Sequence, residues 1–211
     1  MKSKGKLIRY WVSSGILKDK KVIKAFKKIP RENFIKEKDI KEAYGDYPLQ
    51  IGDGQTISQP TTVMLMTEAL ELKEGDKVLE VGAGSGYQSA IIANIVGKMG
   101  KVISTEIVPE LAEFARKNIE KLKFKNIKII LHDGSRGYQK DAPYDKIIVT
   151  AACPGIPKPL ANQLKEDGVI VAPVGNLNEQ IMIKARKKNS KLIEEKLGEF
   201  MFVPLKGKHG Y

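Results

Sequence analysis

The spacing of hydrophobic residues changes along the chain near position 77. Upstream of it, apolar residues recur every three or four positions, which predicts a helix over residues 6–29 that ends at Pro30. Residues 44–58 are rich in Gly, Pro and Asp and are predicted to form a loop. A further helix is expected from Pro60 to Leu70, because proline is well tolerated in the first turn.

From position 77 onward, short apolar runs alternate with longer amphipathic stretches. The predicted strands are Lys77–Val81, Val102–Thr105, Ile127–Leu131, Lys146–Thr150 and Val169–Val174, and the predicted helices are Tyr87–Val96, Pro109–Leu122 and Pro159–Leu164. Two antiparallel strands are expected near 180–186 and 192–203. The pattern predicts a doubly wound, mostly parallel, Rossmann-like α/β sheet with an N-terminal helical extension and antiparallel C-terminal strands.

Composition narrows the class of protein. A chain of 211 residues with 42% hydrophobic residues can form a folded domain with a substantial core. A single cysteine, Cys153, excludes an internal disulfide, and with only His132 and His209 beside it no metal site is expected. No apolar run approaches the roughly 18 residues that span a bilayer. The N-terminus lacks the apolar core of a signal peptide, so no membrane partner and a cytoplasmic location are expected.

The net charge of +12 is the unusual quantity in the composition. Only five of the 37 basic residues are arginines, and the lysines are scattered along the chain among glutamates. Proteins that bind nucleic acid favour arginine for bidentate contacts to phosphate and guanine. The charge therefore favours a solvated surface, and no nucleic-acid partner is expected.

A glycine-rich loop follows the first strand of the alternating region and opens a helix. It reads Glu80-Val-Gly82-Ala-Gly84-Ser85-Gly86, so its third glycine comes one position earlier than in the dinucleotide-binding pattern. Backbone N–H groups of such a loop approach a ligand closely. The carboxylate of Glu80 would repel a pyrophosphate but suits a ligand that carries ammonium and sulfonium charges. The loop therefore predicts a site for S-adenosyl-L-methionine.

Two further polar positions lie at the ends of the next strands. Glu106 ends the second strand, where an acid can accept hydrogen bonds from both ribose hydroxyls. Asp133 and Gly134 follow the third strand, where a side chain and a backbone N–H can contact the adenine edge. Because ligands bind at the carboxyl ends of parallel strands, these elements together predict S-adenosyl-L-methionine as the cofactor.

The methyl acceptor is less evident from the residues alone. The segment from Thr150 to Pro154 lacks the Pro-Pro-aromatic motif of base N-methyltransferases. Cys153 is the only candidate for a cysteine nucleophile, although a small buried residue is the expected role. A G-x-S-x-G elbow is also absent, which disfavours a serine hydrolase. A methyltransferase acting on RNA or a small molecule stays open at this point, as does a non-catalytic module that binds the cofactor or RNA.

The segment from Ala43 to Pro60 resembles the protein-L-isoaspartate O-methyltransferases, which repair isomerised aspartyl and deamidated asparaginyl residues. Its core, Gly54-Gln-Thr-Ile-Ser-Gln-Pro60, is the most specific motif of that family. The resemblance covers nearly the whole chain, since family-like motifs also occur in order at Ile29–Phe34, Ala142–Asp145, Pro173–Gly175, Gln180 and Phe202–Leu205. The chain departs from the family at Thr61, where many members have His or an aromatic residue, and at His132, where many have Gly.

The resemblance implies an activity and a set of site residues. The acceptor is the free α-carboxylate of L-isoaspartyl residues in peptides and damaged proteins, and the methyl ester then closes to a succinimide. Ser58 is implied as the catalytic residue, Thr56 and Ser58 as cofactor contacts, and Ile57, Ser58 and Gln180 as substrate contacts. From the residues alone, Ser58 also suits a helix cap ahead of Pro60, and Gln180 an ordinary polar strand position.

The expected organisation is one compact monomeric unit with two parts. Residues 1–60 are predicted to form the helical extension and active-site loop, and residues 61–211 the cofactor-binding methyltransferase domain. Asp53 is expected to serve only the turn of its loop, while His132 and His209 are expected to be surface or packing residues.

Overall fold

The computed structural model describes residues 3–211. Its helices are α1 (Lys4–Ser13), α2 (Lys20–Lys28), α3 (Pro60–Ala69), α4 (Tyr87–Val96), α5 (Pro109–Lys121) and α6 (Lys158–Gln163). Its strands are β1 (Leu49–Gly52), β2 (Gln55–Ile57), β3 (Lys77–Val81), β4 (Lys101–Glu106), β5 (Ile127–Leu131), β6 (Tyr144–Val149), β7 (Leu164–Gly175), β8 (Gln180–Lys188) and β9 (Lys191–Phe200). Short 3-10 turns cover Arg31–Phe34, Glu37–Glu42, Gly134–Arg136 and Gln139–Asp141.

Seven strands form the central sheet, in the order β5-β4-β3-β6-β7-β8-β9. The pairings from β5 to β7 are parallel, whereas β8 and β9 are antiparallel to their neighbours. Apolar strand residues pack on both faces: Leu79 and Ile147 contact the cluster that includes Leu160 of α6, and Val78 and Ile148 contact the cluster with α3 and α4. The predicted doubly wound fold is confirmed.

The strand order reverses at the centre of the sheet. The chain runs outward from β3 through β4 to β5, then returns to β6 on the other side of β3. A crevice opens at such a switch point, outside the carboxyl ends of the strands. The loops after β3 and β6 therefore face each other across the position where a ligand is expected.

The prediction of one helix over residues 6–29 is wrong, because two helices occupy this region. Gly15 follows α1 with a φ of +67°, a conformation that glycine adopts without steric strain. The side chain of Asp19 then accepts a hydrogen bond from the backbone N–H of Lys21 and begins α2. The end of this region at Pro30 is confirmed, since α2 ends at Lys28.

The extension is held against the rest of the chain by a buried tryptophan. Trp11 packs edge-on against Phe26, with ring centroids 4.7 Å apart. Its Nε1 donates to Oγ1 of Thr61 (2.7 Å), and the Thr61 hydroxyl donates to the carboxylate of Asp46 (2.6 Å). Thr61 thus joins α1 to the segment that contains Ser58. The division into residues 1–60 and 61–211 stays a prediction.

The predicted loop at 44–58 is only partly correct, because it contains a β-hairpin. Strands β1 and β2 pair antiparallel, with Leu49 opposite Ile57. Asp53 and Gly54 form the turn with φ values of +51° and +69°. The turn role of Asp53 is confirmed. Leu49 and Ile51 already alternate with polar residues in the sequence, which is the signal of a short strand.

The C-terminal third differs from prediction at one strand. β7 begins at Leu164, directly after α6, rather than at Val169. Its pairing with β6 is irregular near Tyr144, and Asp167 has a φ of +62° within the strand. The break expected between the predicted helix and strand, at residues 165–168, is therefore a bulge in a longer strand. The two antiparallel strands that follow are confirmed as β8 and β9.

Candidate functional site

A cleft lies at the carboxyl ends of the parallel strands, enclosing about 870 Å³ of space open to solvent. Its walls come from the β1–β2 hairpin, the glycine loop, the end of β4, the segment after β6 and residues 203–206. The predicted site residues in its lining are Thr56, Ile57, Ser58, Glu80, Gly82, Gly84, Ser85, Glu106 and Gly134. The structure therefore brings together residues from four separate parts of the sequence, while Asp133 and Gln180 lie outside this lining.

The glycine loop leaves its backbone open to the cleft. Gly82 has a φ of +97°, and a Cβ atom on it would lie 2.5 Å from Oγ1 of Thr150. The Thr150 hydroxyl donates to the carbonyl of Gly82 (2.6 Å) and so occupies that space. The loop ends at Gly86, directly before α4, so the N-terminus of that helix adjoins the cleft. This is the geometry that suits a polar ligand.

Glu80 is the buried acid at the cleft. Its side chain is fully buried, and burial raises the pKa of the carboxyl to about 8. The Ser89 hydroxyl donates to Oε2, whereas Oε1 has no hydrogen-bond partner within residues 3–211. A buried polar atom without a partner is costly. A cationic group bound in the cleft would supply the missing interaction. The ammonium group of the methionine part of S-adenosyl-L-methionine has the required charge.

Glu106 is held rigidly at the end of β4. Its carboxylate accepts from the backbone N–H of Gly84 (2.8 Å), Ile107 (2.9 Å) and Val108 (3.0 Å). A carboxylate has about four acceptor positions, so it retains capacity for a further donor. The three bonds fix the side chain between the glycine loop and α5. The contact of Glu106 with the ribose hydroxyls stays a prediction, and this geometry is compatible with it.

Asp133 connects the end of β5 to the C-terminus. Its carboxylate accepts from the backbone N–H of Ser135 (3.0 Å) and of Lys208 (2.9 Å). The Ser135 hydroxyl in turn accepts from the N–H of His209 (3.0 Å). Asp133 therefore positions residues 203–211, which we call the C-terminal strap. A direct contact of Asp133 with adenine stays a prediction.

Ser58 lies where the cleft meets a second groove. That groove is lined by Pro48, Thr56, Ser58, Gln59, Thr62, Thr150, Met201, Phe202 and Val203, and it shares Thr56, Ser58, Thr150 and Val203 with the cleft. The Ser58 hydroxyl has no hydrogen-bond partner within the described residues. The alternative that Ser58 caps the next helix is wrong, because Gln59 holds the N-cap position of α3 and the carboxylate of Asp46 accepts from the N–H of Thr61 in its first turn (2.9 Å).

Gln180 is fully buried at the start of β8. Its Nε2 donates to the carbonyl of Asn176 (2.6 Å), and its Oε1 accepts from the N–H of Phe202 (2.8 Å). Gln180 therefore sets the course of the chain that forms one wall of the second groove. A direct contact of Gln180 with substrate stays a prediction.

Sequence reasoning missed Thr150 and the strap as parts of the site. The strap lies beside the segment after β6, where the N–H of Ala152 donates to Val203 O (2.8 Å) and the N–H of Leu205 donates to Ala152 O (2.7 Å). Val203 to Lys206 thereby line the cleft. The family-like order of Phe202–Leu205 was the only signal in the sequence.

Three residues considered as reactive or metal-binding candidates lie outside both cavities. Cys153 is fully buried, and burial raises the pKa of its thiol to about 12, which confirms packing as its role. The ring of His132 packs edge-on against Tyr138, with centroids 5.5 Å apart, and His209 contacts Ser135 through its backbone. Thr61, where the chain departs from the family, also lies outside the cleft lining.

The fold and the cleft define the class of protein. A doubly wound sheet, a glycine loop beside a buried acid and a second acid at the end of β4 are typical of the S-adenosyl-L-methionine-dependent methyltransferases. The family model for protein-L-isoaspartate(D-aspartate) O-methyltransferases matches residues 2–210. The chain belongs to this family.

Similar proteins support the same assignment. A protein-L-isoaspartate O-methyltransferase 2 from Archaeoglobus fulgidus is 52% identical over 192 residues, which cover 91% of this chain and 88% of that protein. A protein-L-isoaspartate O-methyltransferase from Methanococcus aeolicus is 49% identical over 205 residues, covering 97% and 94%.

Solved structures of the same family superpose closely. A protein-L-isoaspartate O-methyltransferase matches with a TM-score of 0.90 and 33% identity, over 99% of this chain and 67% of the other. A Plasmodium falciparum structure, described as a protein-L-isoaspartate O-methyltransferase in complex with S-adenosyl-L-homocysteine, matches with a TM-score of 0.86 and 30% identity, over 98% and 99%.

Proposed function

We propose that the protein transfers the methyl group of S-adenosyl-L-methionine to the free α-carboxylate of L-isoaspartyl residues in damaged proteins. The methoxy group of the resulting ester leaves more readily than the oxygen of a free carboxylate, so the neighbouring backbone nitrogen attacks the ester carbonyl, closes a succinimide and releases methanol. The succinimide then hydrolyses in part to normal aspartate. Family membership supports this activity. The observation that carries it in the structure is the junction of the cofactor cleft and the second groove at Ser58.

The junction places a donor and an acceptor side by side. When bound, the cofactor supplies an electrophilic methyl group on a sulfonium. On the cleft side, Glu80 holds the ammonium group of the cofactor and Glu106 holds its ribose hydroxyls. The second groove is formed by uncharged polar and apolar residues around Ser58 and Thr150, and an extended peptide fits such a surface. Holding the two reactants in line removes much of the entropic barrier of a bimolecular reaction.

The acceptor needs no general base. An α-carboxyl group has a pKa of roughly 3.5 and is ionised at neutral pH. In agreement with this, the lining of the cleft and groove contains no histidine among the described residues. Methyl transfer combines a sulfonium with a carboxylate and yields neutral products, so a site that excludes water favours the transition state.

Ser58 is proposed to orient the acceptor carboxylate. Its hydroxyl is unengaged within the described chain, unlike that of Thr150, which donates to Val81 O (3.0 Å) and Gly82 O (2.6 Å). A hydroxyl at the junction can donate to one carboxylate oxygen and leave the other directed at the methyl group. Lys206, at the rim of the cleft, adds a positive charge that attracts the acceptor.

The test uses methyl-labelled S-adenosyl-L-methionine and two peptides that differ only in L-isoaspartate against L-aspartate. Base-labile label in the isoaspartyl peptide alone is the expected result. Methylation of neither peptide by a protein that binds the cofactor would overturn the proposal, and transfer of label to RNA would replace it.

We further propose that the protein acts as a cytoplasmic monomer without a nucleic-acid partner. A buried, unpaired Cys153 requires no oxidising compartment, and the lysine-rich charge lacks the arginines typical of nucleic-acid faces. Within residues 3–211, no helix is long and apolar enough to cross a membrane. Cell fractionation tests the cytoplasmic location, and light scattering after size-exclusion chromatography tests the monomeric state. RNA gel shifts test the absence of a nucleic-acid partner.

A further inference from the structure

A further large groove, distinct from the groove at Ser58, lies at the opposite end of the parallel strands from the cofactor cleft. We call it the basal groove, and it encloses about 1470 Å³ of space open to solvent. It is lined by Lys28, Ile29, Pro30, Ala93, Asn94, Gly97, Lys98, Leu122, Lys123, Phe124, Lys125 and Asn126. None of these residues lines the cleft or the groove at Ser58. The C-terminal ends of α2, α4 and α5 meet here, before β4 and β5 begin.

Four lysines rim the basal groove. Lys28, Lys98, Lys123 and Lys125 are all exposed, and within residues 3–211 none of them forms an ion pair. The lining contains no acidic residue, and the carboxylate of Glu74 behind Gly97 balances only part of this charge. The groove therefore presents a concentrated positive potential to an incoming anion.

Helix ends account for only part of this arrangement. A cation near a helix C-terminus stabilises the helix, which gives a reason for one lysine at each end. Near the end of α4, the carbonyls of Ala93 and Gly97 accept from Nδ2 of Asn126 (3.2 and 2.9 Å), so these two carbonyls do not require a lysine. The lysines thus remain available to a partner.

The floor of the basal groove is apolar. Ile29 is buried, and Pro30, Leu122 and Phe124 are each partly exposed between the lysines. A nucleic acid would favour arginines and several stacking aromatic rings over such a floor. An apolar floor with a single aromatic ring and a cationic rim instead matches a polypeptide that carries carboxylates around a large apolar side chain.

We infer that the basal groove binds an acidic protein segment that inserts an apolar side chain between the lysines. The segment lies far from the methyl-transfer site, so its binding is independent of the proposed function. Both the charge of the segment and its apolar anchor contribute, and the interaction weakens as salt screens the charges.

The probe is a fluorescein-labelled peptide of glutamates around a central Leu-Phe pair, measured by fluorescence anisotropy on protein saturated with S-adenosyl-L-homocysteine. The test variant is Lys98→Glu/Lys123→Glu. The matched control is Lys158→Glu/Lys191→Glu, which changes the net charge equally at exposed lysines outside the groove. We expect the test variant to bind the probe at least about tenfold more weakly and the control to bind it nearly as wild type.

Two further peptides separate this mode from simple charge attraction. Replacing Leu-Phe by Ser-Gly, or the glutamates by glutamines, is expected to weaken binding. Equal losses in both double variants, or undiminished binding of the Ser-Gly peptide, would overturn the inference. Displacement by RNA with no effect of the apolar pair would assign the groove to nucleic acid instead. Unchanged affinity for S-adenosyl-L-homocysteine serves as the folding control for both variants.

Discussion

The carboxylate of Asp133 occupies the space that a side chain at Gly207 would need. A Cβ atom built on Gly207 would lie 2.0 Å from Oδ1 of Asp133, and the φ of Gly207 is +123°. Because Asp133 also accepts from the N–H of Lys208, the close approach seats the C-terminal strap against the end of β5. The strap forms one wall of the cofactor cleft, so this pair of residues shapes the cleft without lining it.

Gly207→Ala is therefore expected to weaken cofactor binding. The methyl group collides with Asp133, and alanine is strained at this φ by about 1–3 kcal/mol, so the strap shifts. Calorimetric titration with S-adenosyl-L-homocysteine should show a loss of about tenfold or more. Gly155→Ala is the matched control, since a Cβ there meets nothing within 4 Å. Equal affinities for the two variants would contradict the role of the strap.

Glu106→Ala tests the ribose contact. Removal of a charged hydrogen-bond partner is expected to weaken S-adenosyl-L-homocysteine binding by about 1–3 kcal/mol. Glu110→Ala, an exposed acid in the first turn of α5, serves as the control and should bind normally. Unchanged affinity in Glu106→Ala, measured by the same titration, would mean that another group holds the ribose.

Ser58→Ala separates chemistry from cofactor binding. If the hydroxyl orients the acceptor carboxylate, turnover with the isoaspartyl peptide falls by about tenfold or more, while cofactor affinity stays near the wild-type value. Steady-state kinetics and calorimetry on the same preparation provide both quantities. A wild-type rate would remove Ser58 from the reaction, and a parallel loss of cofactor affinity would place it in the cofactor site alone.

Glu80 makes the free energy of unfolding of the protein depend on pH. Its pKa is raised to about 8 in the folded state, from about 4.3 in an unfolded chain. A raised pKa means that the contribution to stability is complete below the unfolded value and is lost as the pH rises toward the folded value. The free energy of unfolding of the cofactor-free wild type should therefore fall between pH 5 and 8 relative to Glu80→Gln.

Urea unfolding of the two proteins across this range measures the effect. We expect the difference between them to change by more than about 1 kcal/mol and to level off above pH 8. Other titrating groups are common to both proteins and cancel in the difference. A constant difference would show that the carboxylate stays ionised throughout.

Cys153→Ser tests whether the thiol has any part in the reaction. The thiol is fully buried beside Pro173 O (3.4 Å), where a serine hydroxyl can donate in its place. Methyl transfer should proceed at a rate close to that of the wild type. An inactive variant with a normal melting temperature would restore the nucleophile hypothesis.

Local patterns predict most of the sheet and part of the cleft lining. Glu80, Gly82 and Glu106 were found because strand ends and glycine loops are local features, and the parallel topology brings them together. The strap and Thr150 could not be found in this way, since their contacts join residues such as Asp133 and Lys208 that are far apart in sequence.

The two errors in the N-terminal quarter have local causes. The break between α1 and α2 depends on Gly15 and on the capping side chain of Asp19, and helical spacing on either side conceals both. In the hairpin, the frequent glycines and aspartates outweighed the short alternation of Leu49 and Ile51. Strands of three or four residues carry too few positions for a periodic signal to dominate.

The hydrogen bond from Trp11 to Thr61 gives the protein an internal optical reporter. Trp11 is the only tryptophan in the chain, and its indole is fully buried between the helical extension and the segment that contains Ser58. Its emission therefore comes from a single, dry environment. Detachment of the extension would expose the indole to water and shift that emission to longer wavelength, so the seating of the segment that contains Ser58 can be followed in real time without an added label.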